Sequence, residues 1–305
     1  MISNSSTAKT VRQRSLSKTL VPNDIVSFWK MRTQITGGRW YHLFRAAPKT
    51  AVDSKGDFLI KLINPHLSSE QLQIAIDRLC REAITTDRIK HPNVIPLMDA
   101  ELDQTPFFLI QPWVDGITHD TMMAREEAIG FNRLMWTFRQ TAEGIRAAHD
   151  NGRVYLGLHP SHILLDRVGR TTLIGWSHSH GIDQTVRYKN DDLAIARYRA
   201  PETFADKYQA QVESDVYSLG VLIFQSLSKQ QIATGVDIET IASSHSDENV
   251  LPLNSIQPHC PEDLAQLVHG MLSQQPGDRP LLADVIEELT TIEIEHLDDA
   301  TPILQ

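Results

Sequence analysis

The stretch from Val154 to Asp166 constrains the fold of this chain more than any other. It connects a long amphipathic segment, Phe131 to Asn151, to a short apolar run, Ile163-Leu164-Leu165, and its middle is polar and contains Pro160. The helical spacing before the loop and the apolar run after it predict a helix, a sharp loop and a strand. A loop anchored at both ends in this way is held rigidly, which suits a loop that lines a cleft.

Size, charge and cysteine content limit the classes of protein to which the chain can belong. Its 305 residues are enough for one large domain or two lobes. The formal net charge of −9 argues against a general nucleic-acid-binding protein. No apolar run has membrane-spanning length and the polar start lacks a secretory apolar core, so we expect a cytoplasmic protein without a membrane span. Cys80 and Cys260 lie far apart in sequence and are expected to be buried thiols rather than a disulfide.

The two ends of the chain have the composition of tails. The first 20 residues are rich in Ser, Thr, Lys and Arg and contain no acidic residue. Such a segment cannot bury enough apolar surface to offset its ordering entropy, so we predict a disordered basic tail over residues 1–28. A docking or phosphorylated tail is the alternative. At the other end, an acidic helix from Glu287 to Asp299 is predicted to lead into a tail over residues 297–305.

The first third of the chain predicts strands and one helix. Residues Trp29 to Ala46 predict a strand, a Gly-Gly turn and a returning strand. The run Asp57 to Ile63 predicts a strand with Lys61 in apolar surroundings, where a lysine is costly to bury unless it is paired. The segment Glu70 to Lys90 has apolar residues at helical spacing and predicts a helix that contains Glu82.

Together these features resemble eukaryotic-type protein kinases. The loop after Val154 is similar to the catalytic loop of that family, H-R-D-L-x-x-x-N, and Lys61 and Glu82 are similar to its strand lysine and helix glutamate. Further runs match the family at Tyr198 to Glu202, Ser214 to Leu222 and Gln275 to Pro280. Because the motifs occur in the order of the family, from about Ile35 to Leu289, they are stronger together than any one of them alone.

The resemblance implies an α+β, bilobal protein-kinase-like fold. A small, β-rich N-lobe with one helix would occupy residues 29–111. A larger, mostly helical C-lobe would occupy residues 112–296.

The resemblance also implies a nucleotide site. Its residues would be Lys61, Glu82, Gly38, Pro112 and Val114. Each has a second interpretation: Lys61 and Glu82 as a structural ion pair, and Pro112 to Val114 as a linker between lobes. Gly38 would then belong to a plain hairpin turn, because the first and third glycines of the family's phosphate loop are Thr36 and Tyr41 here.

The residues that carry the chemistry in the family are missing. The catalytic aspartate corresponds to Gly157, the loop asparagine to His162 and the metal-binding aspartate to Gly175. Gly157 has no group that accepts a proton, Gly175 has no metal ligand, and His162 offers nitrogen where magnesium prefers oxygen. Rescue by a neighbouring carboxylate is the competing hypothesis. The acids nearest in sequence are Asp166, Asp183, Asp191 and Asp192.

The residues that support the fold in the family are kept. The resemblance implies that Asp215 caps the backbone of the catalytic loop and that Glu202 and Arg279 form a buried ion pair. Tyr155 and Trp176 replace a histidine and a phenylalanine of a stacked column, which preserves packing while the chemistry is lost. Leu156 replaces the arginine that reads a phosphorylated loop, so control through Thr185 or Tyr188 is not expected.

Several histidines raise the question of a transition-metal site. They are His42, His162, His178 and His180. No cysteine or suitably spaced histidine pair completes a ligand set, so we interpret them as solvated loop histidines.

The sequence therefore predicts a pseudokinase, a kinase-like domain that acts as a signalling scaffold or allosteric binding module. Its partner would be an active kinase or another signalling protein. One alternative is an atypical phospho- or nucleotidyl-transferase that uses Lys61 and Glu82, and if the chain is active we expect serine/threonine kinase-like transfer. Another is a sensor that binds ATP without magnesium.

Overall fold

The computed structural model describes residues 22–51, 54–125, 129–187, 192–246 and 251–296. The chain divides into two compact units. The first unit comprises Met1–Leu79 and Met98–Trp113, and the second comprises Cys80–Leu97 and Val114–Gln305. None of the helices in the described part of the chain has the length and apolar composition needed to cross a bilayer.

The first unit is built on an antiparallel six-stranded sheet with the order β1-β2-β3-β4-β6-β5. Its strands are β1 (Ile25–Val26), β2 (Trp29–Gly37), β3 (Tyr41–Pro48), β4 (Phe58–Ile63), β5 (Asp99–Glu101) and β6 (Phe108–Pro112). Met31, Phe44, Ile60 and Ile110 come from four different strands and are fully buried, which gives the sheet one apolar face.

The sheet begins inside the segment that was predicted to be a tail over residues 1–28. Ile25 pairs with Lys30 and Val26 with Trp29, and the Val26 side chain is buried in the core of the sheet. The first residues of the chain are polar on average, so their composition does not indicate this short apolar strand. The predicted end of the tail at residue 28 is therefore wrong. Residues 1–21 and the predicted tail over residues 297–305 lie outside the described residues.

Helix α1 (Ser69–Arg88) belongs to both units, because the first unit ends at Leu79 and the second begins at Cys80. The segment Cys80–Leu97 was predicted to lie in the N-lobe. It groups with the second unit instead because Ile89, Val94 and Ile95 are buried in the hydrophobic core of that unit.

The second unit is mostly helical, and its core lies around α3 and α5. Its helices are α2 (His119–Met123), α3 (Phe131–Asp150), α4 (Leu193–Ala196), α5 (Val212–Ser228), α6 (Ile238–His245), α7 (Leu253–Ile256), α8 (Glu262–Met271) and α9 (Leu282–Glu295). Nearly every residue of α5 is buried, so this helix forms the centre of the unit. A β-rich unit and a larger helical unit confirm the predicted α+β fold class.

Short strands in the second unit support the loops between its helices. They are β7 (Gly116–Thr118), β8 (Arg153–Val154), β9 (Ile163–Asp166), β10 (Thr171–Leu173), β11 (His180–Gly181), β12 (Thr185–Val186) and β13 (Tyr208–Gln209). β9 lies between β10 and β7, and β8 pairs with β11. The predicted helix, loop and strand around Val154 to Asp166 are therefore present as α3, a turn at Pro160–His162, and β9.

An ion pair between Glu202 and Arg279 joins two loops beside the start of α5. The Arg279 guanidinium donates to both carboxylate oxygens of Glu202 at 2.8 Å, and the Ser214 hydroxyl donates to one of them at 2.7 Å. Burial alone would raise the pKa of Glu202, but the hydrogen bonds and charge of Arg279 outweigh it and leave this pKa below its ordinary value of 4.5.

Substitution Glu202→Gln is expected to destabilise the folded chain by about 3–5 kcal/mol near pH 7, because it leaves the buried Arg279 charge without its partner. A carboxylate whose pKa is lowered on folding stabilises the fold above its unfolded pKa and loses that contribution as pH falls through the folded pKa. The difference in the free energy of unfolding between wild type and variant should therefore shrink below about pH 4.5. Urea unfolding at several pH values measures it, with the exposed Glu287→Gln as the control. Equal effects of the two substitutions would contradict the prediction.

Candidate functional site

A buried carboxylate fixes the loop that follows α3. Asp215, in the first turn of α5, accepts hydrogen bonds from the backbone N–H groups of Tyr155 at 2.7 Å and Leu156 at 2.8 Å. The ring of His149, near the end of α3, contacts the same carboxylate at 2.9 Å. Leu156 has φ of +54°, a left-handed conformation that is unusual for a residue other than glycine. The two bonds from Asp215 hold the loop backbone in this conformation.

Two aromatic side chains pack beneath the loop. The rings of Tyr155 and Trp176 are fully buried, and their centroids are 4.2 Å apart. The Tyr155 hydroxyl donates to the carbonyl of Ile174 at 2.5 Å, and the Trp176 indole donates to the carbonyl of Leu173 at 3.1 Å. Both polar groups are therefore satisfied inside the core, and the pair acts as packing.

Gly157, which the sequence predicts to correspond to the family's catalytic aspartate, is buried. A Cβ atom at this residue would lie 3.3 Å from the carbonyl oxygen of Gly175 and 3.3 Å from the Cβ of His178. These distances are shorter than ordinary packing contacts. A side chain at Gly157 would therefore require these neighbours to shift by a few tenths of an ångström.

The ring of His162 covers Gly175. A Cβ atom at Gly175 would lie 2.7 Å from the Nδ1 and Cε1 atoms of this ring, so no larger residue fits while His162 keeps its position. Gly175 also has φ of +73°, which glycine adopts at little cost. The Nδ1 atom of His162 is 2.8 Å from the carbonyl oxygen of Gly157. The three positions that the sequence predicts to differ chemically from the family therefore contact one another.

The donor set around Gly175 does not fit a magnesium ion. Two glycines supply no side chain, and the one nitrogen of His162 nearest them is bonded to the Gly157 carbonyl oxygen. Within the described ranges, no group of three His, Cys, Asp or Glu side chains could hold a metal ion.

The acids proposed as rescuing groups have other contacts. Asp166 accepts from the backbone N–H groups of Val168 and Arg170 and so closes the turn between β9 and β10. Asp192 accepts from the N–H of Ile195 and caps α4. Asp183 lies in a turn after β11, with its own N–H bonded to the Ala210 carbonyl. Asp191 and the candidate phosphorylation site Tyr188 lie outside the described residues.

A polar network fixes the segment that follows Gly175 to the second half of α1. The Arg81 guanidinium donates to the Ser177 carbonyl at 3.0 Å, and the hydroxyls of Thr85 and Ser179 are 2.6 Å apart. Arg153 donates to the Ser179 carbonyl at 3.0 Å. Sequence reasoning missed these contacts, because no motif marks Arg81 or Arg153.

The interpretation of the histidines as solvated loop residues is wrong for this segment. His178 is only 6% exposed, because the network above holds its neighbours against α1 and β8. The ring of His180 bonds to the His178 carbonyl at 2.7 Å. Burial, together with the charges of Arg81 and Arg153, lowers the pKa of His180 to about 4.

In the first unit, Tyr41 covers Lys61. The Lys61 ammonium is 5.2 Å from the centroid of the Tyr41 ring, and the Tyr41 hydroxyl donates to the carbonyl of Ala75 in α1 at 3.0 Å. The Gly38 N–H donates to the Tyr41 carbonyl at 2.9 Å and closes the turn between β2 and β3. That N–H is used within the hairpin, which favours the interpretation of this turn as a plain hairpin over a phosphate loop.

The remaining predicted site residues belong to different units. Pro112 ends β6 in the first unit, and Val114 packs against the core of the second. Glu82 is fully buried on α1 in the second unit. The pairing of Lys61 with Glu82, and contacts of these residues with ATP, stay predictions.

Substitution Asp215→Asn is expected to destabilise the chain by about 1–3 kcal/mol. The amide NH₂ group of asparagine would replace one carboxylate oxygen and would face a buried backbone N–H group that then has no acceptor. Urea unfolding measures the effect, with the exposed Asp206→Asn as a matched control. A loss no greater than that of the control would show that the loop does not depend on this carboxylate.

Substitution Gly175→Asp alone is expected to destabilise the chain by about 1–3 kcal/mol, because its Cβ atom would overlap the His162 ring. Adding His162→Asn removes the ring, so the double variant should lose less stability than the sum of the single variants. A double-mutant cycle by urea unfolding measures this coupling, which we expect at about 0.5–3 kcal/mol. Additive losses would contradict the contact.

Comparison with known proteins identifies the family of the chain. The family model described as "Protein kinase domain" matches residues 49–289. The probable serine/threonine-protein kinase PknB of Lactococcus lactis is 23% identical over 238 residues, which cover 78% of this chain and 38% of that protein. Serine/threonine-protein kinase PrkC of Bacillus subtilis is 22% identical over 213 residues, 70% of this chain and 33% of that protein.

A further relative is serine/threonine-protein kinase PknA of Mycobacterium tuberculosis, 26% identical over 226 residues, 72% of this chain and 51% of that protein. The chain thus corresponds to between about a third and a half of the length of the relatives that it matches. Since the family model covers most of the sequence, and the two units have the expected β-rich and helical character, this chain belongs to the protein kinase superfamily.

Proposed function

We propose that this chain is a pseudokinase, a protein kinase domain without phosphotransfer activity that acts as a signalling scaffold or allosteric binding module. The observation that carries the proposal is the His162 ring, which fills the space above Gly175 where the family has a metal-binding side chain. Gly175 therefore lacks a metal-binding side chain, and the His162 ring occupies the space that such a side chain would need.

Two of the three chemical requirements of phosphoryl transfer lack a residue here. The reaction needs positioned magnesium, a clamp on the phosphates and an acceptor for the substrate proton. Gly157 offers no acceptor, and a positioned general base contributes roughly 10²–10⁴-fold to a rate. Gly175 and His162 do not supply the oxygen ligands that magnesium prefers. Losses at three positions that contact one another are not reversed by a single substitution.

The groups that support the fold are, by contrast, intact. The Asp215 cap on the loop and the ion pair between Glu202 and Arg279 need no nucleotide to form. The network of Arg81, Thr85 and Ser179 fixes the segment after Gly175 to α1. A surface held in one conformation loses little entropy on association, which suits a module that binds another protein. An active kinase or another signalling protein is the partner that we propose.

Incubation of the chain with radiolabelled ATP and magnesium or manganese is expected to transfer no phosphate to itself or to a generic protein substrate. Turnover that Lys61→Ala abolishes and Lys207→Ala leaves intact would overturn the proposal, since Lys207 is an exposed lysine away from the predicted site. A thermal-shift measurement with ATP, with and without a chelator, distinguishes the alternatives. A shift that the chelator does not affect supports a metal-independent ATP sensor, and no shift supports the scaffold.

A further inference from the structure

A cavity of about 270 Å³ lies on the second unit, between α2 and the C-terminal end of α5. The apolar side chains that line it include Met123, Pro160 and Leu222. Asp120 and Lys229 also line it, and their charges are opposite. A cavity of about 150 Å³ is large enough to hold benzene, so this one has room for a molecule with one ring and a polar group. We call it the α2–α5 cavity.

The hydrogen bonds around His119, which lines this cavity, determine which of its ring nitrogens carries a hydrogen. The Ser226 hydroxyl donates its only hydrogen to the Leu222 carbonyl at 2.7 Å. The His119 Nε2 atom is 2.8 Å from the same hydroxyl oxygen, so Nε2 must donate in that contact. Burial lowers the pKa of His119 to about 4, which leaves the ring neutral near pH 7. A neutral ring with its hydrogen on Nε2 has a lone pair on Nδ1, which accepts and cannot donate.

Two side chains that line the α2–α5 cavity have a buried polar atom without a hydrogen-bond partner among the residues that the structure describes. One atom is the acceptor Nδ1 of His119, a side chain that is only 1% exposed. The other is the donor Nε2 of Gln225, the residue before Ser226. Buried polar groups in folded proteins almost always have partners, and an exception calls for an explanation. An unpaired acceptor and an unpaired donor at one cavity indicate a ligand that pairs with both.

We propose that the α2–α5 cavity binds a small, uncharged molecule through a primary carboxamide group. The N–H of a carboxamide would donate to His119 Nδ1, and its carbonyl oxygen would accept from Gln225 Nε2. An apolar ring attached to the carboxamide would contact Met123, Pro160 and Leu222. The ligand would thus pair both buried atoms and cover the apolar part of the lining.

Small molecules related to a carboxamide do not pair with both atoms. A carboxylate has no hydrogen for the Nδ1 atom of His119, and its negative charge would face the lone pair of that atom. A ketone keeps a carbonyl oxygen for Gln225 but has no N–H group. An uncharged ligand also suits a lining in which Asp120 and Lys229 have opposite charges. Binding at this cavity needs neither ATP nor a metal, so it goes beyond the proposed function and does not depend on it.

An NMR titration of the full chain with benzamide near pH 7 tests the proposal, with benzoate and acetophenone as probes of nearly the same shape. We expect saturable binding of benzamide and about tenfold weaker binding of the other two, because each leaves a buried polar atom unpaired. In the ¹⁵N-labelled chain, the resonance of His119 Nδ1 should shift when benzamide donates to this atom. Acetophenone should leave the resonance nearly unchanged, because it has no N–H group.

Substitution Gln225→Met removes the buried donor and keeps a flexible side chain of similar length, so it should weaken benzamide binding by about tenfold. Gln266→Met is the matched control, because Gln266 is an exposed glutamine of α8 that does not line the cavity. This control should bind benzamide as tightly as wild type does. Urea unfolding checks that both variants fold.

Four results would each overturn the proposal. They are no saturable binding of benzamide by wild type, equal affinities for the three probes, an unchanged His119 Nδ1 resonance at saturating benzamide, and equal losses of affinity in Gln225→Met and Gln266→Met. The first three use wild type alone, so they decide the proposal even if Gln225→Met does not fold.

Discussion

The buried carboxylate of Asp215 is the interaction on which the loop after α3 depends. It accepts from two successive backbone N–H groups and contacts His149, so three groups stabilise an anion that would be costly to bury alone. In return it fixes Leu156 in a left-handed conformation that the isolated chain would rarely adopt. The positions of Gly157 and His162 follow from that loop backbone, which means that the geometry of the site is set from α5.

Gly157 and Gly175 both lie against the ring of His162. Because Gly175 has no side chain, it leaves space beside its Cα atom that water could otherwise occupy. The His162 ring occupies this space. The ring in turn bonds to the carbonyl of Gly157. The second unit keeps a continuous core that includes Tyr155 and Trp176. Positions 157, 162 and 175 thus contribute to the packing of the loop after α3.

Much of the fold could be predicted from local patterns, but the site could be predicted only in part. The helical spacing of Phe131 to Asn151 and the apolar run at Ile163 predicted α3 and β9 within a residue or so of their observed ends. The order of motifs predicts that Gly157, His162 and Gly175 correspond to the family's catalytic and metal-binding residues, and that correspondence stays a prediction. The burial of His178 was not predicted, because its neighbours are held by Arg81 and Arg153, which are distant in sequence.

The sequence by itself determined the class of fold, because periodicity and motif order are properties of neighbouring residues. Only the tertiary structure decided which side chain lies against Gly175 and which groups hold the segment that follows it. Both depend on contacts between residues distant in the chain, such as the His162 ring over Gly175 and the hydrogen bond from Arg81 to the Ser177 carbonyl. Such contacts follow from the packing of helices and strands against one another, which spacing along the chain does not encode.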